Sequence, residues 1–231
     1  ARSPLPLSAP LLAIISSKSE WRAVKAHYPF APVFTTPYGE QLELDLGQHH
    51  FIFCQGGVGK VSAAASAEYA VQRWQPRAVV NPGTCGGIAG EIEIGEIVLA
   101  RQTVIYDIIE QMGDPAAALA RYATTLDLNW LPQPYPLQVR TETLVSADRD
   151  LRIEDIPTLR QKFNAVAADW ESGAIAWVAA RHALPCLILR GVTDLVNPAD
   201  GDAYGNIEQY RANTQLIMPR LLDSLPGWFE K

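Results

Sequence analysis

The chain has 231 residues, of which 48% are hydrophobic and 19% are charged, and its formal net charge at pH 7 is −6. This length allows one large buried core, and this composition is typical of a globular protein. No run of lysines or arginines forms a basic patch, which argues against a nucleic-acid partner. No stretch is long and apolar enough to span a membrane. We expect residues 1–231 to form a single domain with a flexible N-terminus at 1–10.

Apolar, branched-chain runs predict strands at residues 11–16, 41–46, 49–54, 78–81, 97–104, 165–168 and 186–190. Helical spacing of apolar residues predicts helices at residues 19–27, 60–72, 156–163, 172–182 and 207–222. Alternating strands and helices without repeats predict an α/β fold, a three-layer α/β/α sandwich. The proline-containing segment 115–136 is interpreted as an active-site or interface loop.

A glycine-rich turn at residues 56–59 joins the predicted strand 49–54 to an alanine-rich helix. The turn is not a P-loop, which needs a glycine where the chain has Cys54 and a serine or threonine where it has Val61. The dinucleotide-binding fingerprint fails too, because Ser62 stands in place of its third glycine. We therefore do not expect this turn to bind a nucleoside triphosphate.

Charged residues interrupt two apolar strands in the second half of the chain. Glu171 follows the strand 165–168, and Asp194 comes four residues after Arg190, where the strand 186–190 is predicted to end. Ligands of open α/β sheets bind outside the carboxyl ends of strands, so the two carboxylates are expected to converge there. Taken alone, each acid is equally compatible with a helix N-terminus or a turn.

The three cysteines, Cys54, Cys85 and Cys186, fall in or beside apolar strands and lack metal-ligand spacing. Buried free thiols in a reducing compartment, the cytoplasm, are expected rather than a disulfide. No metal site and no cofactor are expected.

Five short segments stand in a fixed order along the chain, at residues 57–64, 81–87, 94–98, 170–174 and 189–194. As an ordered set they resemble the nucleoside phosphorylase/nucleosidase superfamily, and most closely its 5′-methylthioadenosine/S-adenosylhomocysteine nucleosidases. The resemblance implies a purine nucleoside phosphorylase-like fold with a central, twisted mixed sheet. It also implies an N-glycosyl hydrolase that releases adenine from 5′-substituted adenosines.

The resemblance assigns roles in binding the nucleoside. Asp194 would be the general acid that protonates N7 of adenine, with its pKa raised by burial. Glu171 would accept hydrogen bonds from the ribose hydroxyls, and Trp170 would lie beside the ribose, although a tryptophan there could equally be a core residue. The purine site would comprise Asp194, Cys85, Gly86 and Leu151.

The resemblance also places Glu20, Thr84 and Arg190 around an attacking water, with Glu20 as the base. That water and Glu20 would be the partners that a buried guanidinium at Arg190 needs. Phosphorylases of this superfamily carry a phosphate-clamping arginine where this chain has Asn81. Asn81 cannot make a bidentate, charge-assisted contact with phosphate, so water is the expected acceptor.

The chain departs from the family pattern at two places. Asp150 stands where the family places a phenylalanine that stacks on the purine, and Tyr106-Asp107 replaces a His-Asp pair. The segment 111–116 resembles the loop that completes the neighbour's site in the family, which implies a homodimer. The alternatives are a purine nucleoside phosphorylase, a futalosine-type nucleosidase and a non-catalytic purine-nucleoside-binding protein.

Overall fold

The computed structural model of the chain describes residues 8–197 and 207–230. Its strands are β1 (Leu11–Ile15), β2 (Val33–Thr36), β3 (Gly39–Leu46), β4 (His49–Gln55), β5 (Ala78–Ile88), β6 (Ile97–Ile105), β7 (Ala123–Thr125), β8 (Arg140–Ser146), β9 (Ala165–Asp169) and β10 (Cys186–Val196). Its α-helices are α1 (Lys18–His27), α2 (Lys60–Trp74), α3 (Pro115–Ala120), α4 (Ile156–Phe163), α5 (Ser172–Arg181) and α6 (Ile207–Ser224). Short 3-10 helices occupy Ile153–Asp155 and Pro226–Trp228.

The strands form one mixed sheet. Five of them, in the order β5, β9, β8, β6 and β10, close into a ring, because β10 pairs with both β6 and β5. From β5 the sheet continues through β1, β4, β3 and β2, and β7 pairs with β6 at the side. Both parallel pairs, such as β1 with β5, and antiparallel pairs, such as β5 with β9, are present. The predicted α/β class and mixed sheet are confirmed.

Helices cover both faces of this sheet. On one face, α2 and α5 pack together, and their small residues, such as Ala67 and Ala179, belong to one buried apolar cluster. On the other face, α1 and α6 pack together and bury Trp21 and Met218 in a second cluster. Burial of these apolar faces supplies the main favourable term in folding. The result is the predicted three-layer arrangement.

The turn between β4 and α2 has the backbone conformation that its glycines suggest. Gly57 and Gly59 adopt φ angles of 79° and 87°, in the region that residues with a Cβ avoid. The turn directs the first backbone amides of α2 toward the carboxyl end of the sheet. Gly59 thereby becomes part of the site described below.

Two strands are much longer than the sequence predicts, whereas β3, β4, β6 and β9 gain only one or two residues. β5 continues from Asn81 to Ile88, although Pro82, Gly83, Gly86 and Gly87 are poor strand formers. β10 likewise continues to Val196 and pairs with β5 along most of its length. Pairing with a neighbouring strand therefore overrides the local preference of the sequence.

Other differences concern elements that the sequence does not predict. The strands β2, β7 and β8 were not predicted, because they lack a clear alternating or continuous apolar pattern. The interpretation of residues 115–136 as a loop is wrong in part, because this segment contains α3 and β7. Within the described residues, no helix is long and apolar enough to cross a membrane.

The three cysteines are buried and free, as the sequence predicts. Burial raises the pKa of the Cys186 thiol to about 12, so this thiol is protonated at neutral pH. A protonated, buried thiol behaves as a small apolar side chain in the core.

Candidate active site

A cavity of about 660 Å³ opens where β5, β9 and β10 approach the starts of α1, α2 and α5. It brings together residues that are far apart in sequence. The predicted site residues that line it are Glu20, Thr84, Cys85, Gly86, Leu151, Trp170, Glu171 and Asp194. Arg190, the remaining predicted residue, is fully buried in β10.

Arg190 is held by two buried polar partners. Its Nε donates to Asp169 Oδ2 at 2.7 Å, and its Nη2 donates to Asn81 Oδ1 at 2.6 Å. The predicted direct partner of Arg190, Glu20, is therefore wrong. The carboxylate that contacts Arg190 is that of Asp169. The third nitrogen, Nη1, has no hydrogen-bond partner among the described residues. A buried donor of this kind is costly unless something accepts from it.

Gly83 explains where Nη1 points. A Cβ at this position would lie 1.9 Å from Arg190 Nη1 and 2.8 Å from Glu20 Oε1. Only glycine therefore allows the guanidinium and the Glu20 carboxylate to approach the same stretch of β5. Arg190 Nη1 and Glu20 Oε1 thus lie on the same side of this backbone, next to Thr84.

Asp169 is a site residue that the sequence analysis missed. It is the last residue of β9, and its Oδ1 accepts hydrogen bonds from Ser146 Oγ at 2.6 Å and Ser172 Oγ at 3.0 Å. These donors fix the carboxylate so that its other oxygen can hold Arg190. The signal was present, since Asp169 ends an apolar strand two residues before Glu171.

Glu20 has a structural and a site contact at once. Its Oε2 accepts from the Ser17 backbone N–H at 2.8 Å, which completes a capping box at the start of α1. Its Oε1 accepts from the Thr84 N–H at 2.6 Å and from Thr84 Oγ1 at 2.8 Å. Each carboxylate oxygen has two lone pairs, so Oε1 is saturated while Oε2 can accept one more hydrogen bond.

Glu171 lies between the starts of α2 and α5. It lies at the N-terminal boundary of α5, and its Oε1 accepts from the Gly59 N–H at 3.0 Å, which ties it to the glycine turn before α2. Burial, and to a smaller extent the charge of Asp169, raise the pKa of the Glu171 carboxyl to about 8. Near neutral pH this group can therefore gain or lose a proton.

Asp194 lies within β10 and not at its end, which corrects the prediction of a strand-end carboxylate. The register with β5 shifts between Val192 and Asp194, and this irregularity accompanies its exposure to the cavity. Its Oδ1 accepts from Thr193 Oγ1 at 2.6 Å. Burial, and secondarily the charge of Asp150, raise the pKa of the Asp194 carboxyl.

Further residues line the cavity without having been predicted as site residues. Arg149 and Asp150 directly precede the predicted purine residue Leu151, and Ser17 and Tyr210 lie near Glu20. Tyr210 belongs to α6, and no pattern around it in the sequence sets it apart from an ordinary amphipathic helix. Its place in the site became visible only when the chain was folded.

Comparison with known proteins identifies the family. A family model described as the phosphorylase superfamily matches residues 12–223. The chain belongs to this superfamily. The resemblance predicted from the five ordered segments is thereby confirmed.

Two similar proteins of this superfamily are 5′-methylthioadenosine/S-adenosylhomocysteine nucleosidases. The one from Buchnera aphidicola subsp. Acyrthosiphon pisum (strain APS) is 25% identical over 172 residues, covering 70% of this chain and 73% of the relative. The one from Tolumonas auensis is 28% identical over 192 residues, covering 75% and 82%. The similarity thus extends over most of both chains.

Solved structures show the same fold. The Streptococcus pneumoniae MTA/SAH nucleosidase in complex with 8-aminoadenine has a TM-score of 0.78 at 19% identity, covering 95% of this chain and 99% of that chain. The Campylobacter jejuni 5′-methylthioadenosine/S-adenosyl homocysteine nucleosidase has a TM-score of 0.77 at 16% identity, covering 94% and 98%.

The buried ion pair should dominate the stability of this region. Asp169→Ala leaves the Arg190 guanidinium buried without its counter-ion, so we expect the free energy of unfolding to fall by about 3–5 kcal/mol. Glu208→Ala is the matched control, because it breaks the exposed Glu208–Arg211 pair, which we expect to cost less than about 1 kcal/mol. Urea unfolding of both variants measures the difference, and equal, small losses would contradict the assigned role of Asp169.

Glu171 should make stability depend on pH. The pKa of Glu171 in the folded chain is about 8, above the ordinary value of 4.5. The protonated carboxyl therefore contributes its full share of stability below about pH 4.5, and this share is lost as pH rises through about 8. Glu171→Gln cannot ionise, and its stability relative to wild type should therefore increase between about pH 5 and pH 9. Thermal melts across this range test the expectation, with Glu154→Gln, whose side chain is 64% exposed, as the control. A difference that stays constant with pH would contradict it.

Proposed function

We propose that this protein hydrolyses the N-glycosidic bond of 5′-substituted adenosines and releases adenine. One observation carries the proposal. Arg190 Nη1, which has no partner among the described residues, and Glu20 Oε1 both lie close to the position of a Gly83 Cβ, beside Thr84, and Glu20 lines a cavity together with Glu171 and Asp194. Membership of the phosphorylase superfamily and the similarity to 5′-methylthioadenosine/S-adenosylhomocysteine nucleosidases support it.

Asp194 is the proposed general acid. Cleavage of the bond leaves negative charge on the purine, and a proton delivered to N7 makes adenine a better leaving group. The raised pKa of Asp194 keeps a proton on its carboxyl to higher pH than usual. Proton transfer of this kind contributes about 10²–10⁴-fold to the rate. Leu151, Cys85 and Gly86 are the proposed walls of the purine site.

Glu171 is the proposed ligand of the ribose hydroxyls, with Trp170 beside the sugar. As the bond breaks, the ribosyl group becomes cationic. A cationic sugar favours the ionised form of Glu171, so its hydrogen bonds to the hydroxyls strengthen in the transition state. The Gly59 N–H holds one oxygen of Glu171 in place, which limits the reorganisation that this step requires.

The proposed nucleophile is a water between Glu20, Thr84 and Arg190. The water would donate to Oε2 of Glu20, the oxygen that has acceptor capacity left, and would accept from Nη1 of Arg190. Glu20 would take the proton as the water attacks C1′. This placement also gives a partner to Nη1, the guanidinium nitrogen that has none among the described residues.

Phosphorolysis is the second candidate, and the site favours it less. Asn81 stands in place of the clamping arginine, and both of its side-chain polar atoms already have a partner, since Nδ2 donates to the Ile14 carbonyl at 2.7 Å and Oδ1 accepts from Arg190. Arg149 also lines the cavity, but it pairs with Asp155 at 2.9 Å. A phosphate would therefore compete with Asp155 for Arg149, and Asn81 offers it no positive charge.

A panel of nucleosides tests the proposed reaction. We expect free adenine from 5′-methylthioadenosine, S-adenosylhomocysteine and adenosine, and a much slower release of hypoxanthine from inosine. The 6-oxygen of inosine would face the Asp194 carboxyl oxygens where the 6-amino group of adenine donates, and the mismatch costs binding. Chromatography of the products gives the rates, and a preference for inosine would contradict the base assignment.

Removal of the acid should slow the reaction without unfolding the chain. Asp194→Asn can still hydrogen-bond the purine but has no proton to give to N7, so we expect a rate reduced by about two orders of magnitude or more. The structural alternative is that Asp194 only shapes the strand, in which case the rate would stay within about tenfold of wild type. Steady-state rates with 5′-methylthioadenosine, together with circular dichroism, separate the two.

We further propose a homodimer whose partner loop completes each site. The segment 111–116 contains Met112, whose side chain is fully exposed, and Ile109 just before it is 75% exposed. Apolar side chains presented this way suit a two-fold interface. Light scattering should give twice the chain mass, and a fully active monomer would contradict the proposal.

We propose that the protein acts in the cytoplasm. The proposed reaction uses small nucleosides as substrates and needs no cofactor. The support is the set of three buried free thiols, which suit a reducing compartment. Fractionation of cells that produce the protein would test the location.

A further inference from the structure

The hydroxyl of Tyr210 lies at the nucleophile end of the cavity, where the proposed reaction has not used it. Tyr210 lines the cavity from α6, and its Oη is 3.2 Å from Ser17 Oγ. Ser17 Oγ in turn accepts from the Glu20 N–H at 3.1 Å. The tyrosine hydroxyl is therefore linked to the proposed base through one serine.

The hydroxyl of Tyr210 stays in its neutral form in these surroundings. Burial, and then the charge of Glu20, raise the pKa of the Tyr210 hydroxyl, while hydrogen bonding with Ser17 and Thr84 lowers it to a smaller extent. The net shift is upward, so the hydroxyl stays protonated and neutral at physiological pH. It can donate one hydrogen bond and accept others.

The proposed water needs two hydrogen-bond acceptors, and the proposed reaction so far assigns one. Water has two hydrogens, and Glu20 Oε2 takes one of them. The second hydrogen needs another acceptor. Arg190 Nη1 is only a donor. Thr84 Oγ1 gives its own hydrogen to Glu20 Oε1 but keeps lone pairs, so it is one candidate acceptor. The Tyr210 oxygen, with its own hydrogen free to turn toward Ser17, has the capacity to accept.

We propose that Tyr210 is a positioning residue for the attacking water: its Oη accepts the second hydrogen of that water while its O–H donates to Ser17 Oγ. This inference rests on the proposed hydrolysis. In the reaction the O–H bond facing Glu20 breaks, that proton goes to Glu20, and a water oxygen lone pair forms the bond to C1′ as the bond to the purine nitrogen breaks. The second O–H bond stays intact and keeps the water oriented.

The proposal makes a distinction between water and methanol as nucleophiles. Methanol has a single O–H, so it can satisfy Glu20 or Tyr210 but not both. With wild-type protein, the ratio of free sugar to methyl riboside should therefore exceed the ratio of the water and methanol concentrations. Without the acceptor at Tyr210 this advantage disappears, and the methyl group of methanol gains room near the lost hydroxyl.

The experiment compares Tyr210→Phe with wild type and with Tyr135→Phe as a control. Tyr135 packs on Trp228, with ring centroids 5.1 Å apart, outside the residues that line the cavity. We measure kcat and KM for 5′-methylthioadenosine and adenosine, and the ratio of methyl riboside to free sugar formed in aqueous methanol. Phe keeps the ring, so only the hydroxyl is lost.

For Tyr210→Phe we expect kcat to fall about tenfold on both substrates, the equivalent of one hydrogen bond in the transition state. KM should stay within about twofold, because the hydroxyl contacts the water and not the nucleoside. The ratio of methyl riboside to free sugar should rise several-fold above wild type. Tyr135→Phe should behave as wild type in all three respects.

Two results with an active wild type would overturn the proposal. An unchanged methanol ratio would show that Tyr210 does not hold the water. A loss confined to one of the two substrates would show that the hydroxyl contacts the 5′-substituent instead. Wild-type protein that releases no adenine from either substrate would overturn the proposed function itself, and this inference with it.

Discussion

The burial of one guanidinium constrains the rest of this site. Arg190 lies in a strand whose other residues are mostly apolar, and a cation there must be paired and hydrogen-bonded to be tolerated. Asn81 meets this need from β5, which pairs with β10, and Asp169 meets it from β9, across the ring. Gly83 gives the space, since any side chain at that position would collide with Nη1. The arrangement of β5, β9 and β10 therefore orients Arg190 Nη1, which has no partner among the described residues, beside Glu20.

The acids around this donor differ in ways that suit different tasks. Asp194 has few hydrogen-bond donors and a raised pKa, as a proton donor requires. Glu171 has a pKa near neutrality and one oxygen tied to a helix start, which suits a ligand that responds to charge on the sugar. Glu20 accepts three hydrogen bonds from Ser17 and Thr84, which hold its carboxylate in one orientation. The capping box thus serves the fold and the site together.

The sequence predicted the elements with strong local patterns, and it brought Glu171, Asp194 and Glu20 to one cavity. It failed where tertiary pairing decides the outcome. The extension of β10 beyond Arg190, which places Asp194 within a strand, depends on pairing with β5 that no local pattern reveals. Tyr210 meets Ser17 across 193 positions of sequence, so only the packing of α6 on α1 could place it.

The central claim is that water, held by Glu20 and Arg190, is the acceptor of the ribosyl group. The most direct test follows adenine release from 5′-methylthioadenosine while inorganic phosphate is varied, and identifies the sugar product by mass spectrometry. The structure predicts a rate independent of phosphate and a free 5-substituted ribose. A ribose 1-phosphate product, or a rate that rises in proportion to phosphate, would contradict this claim.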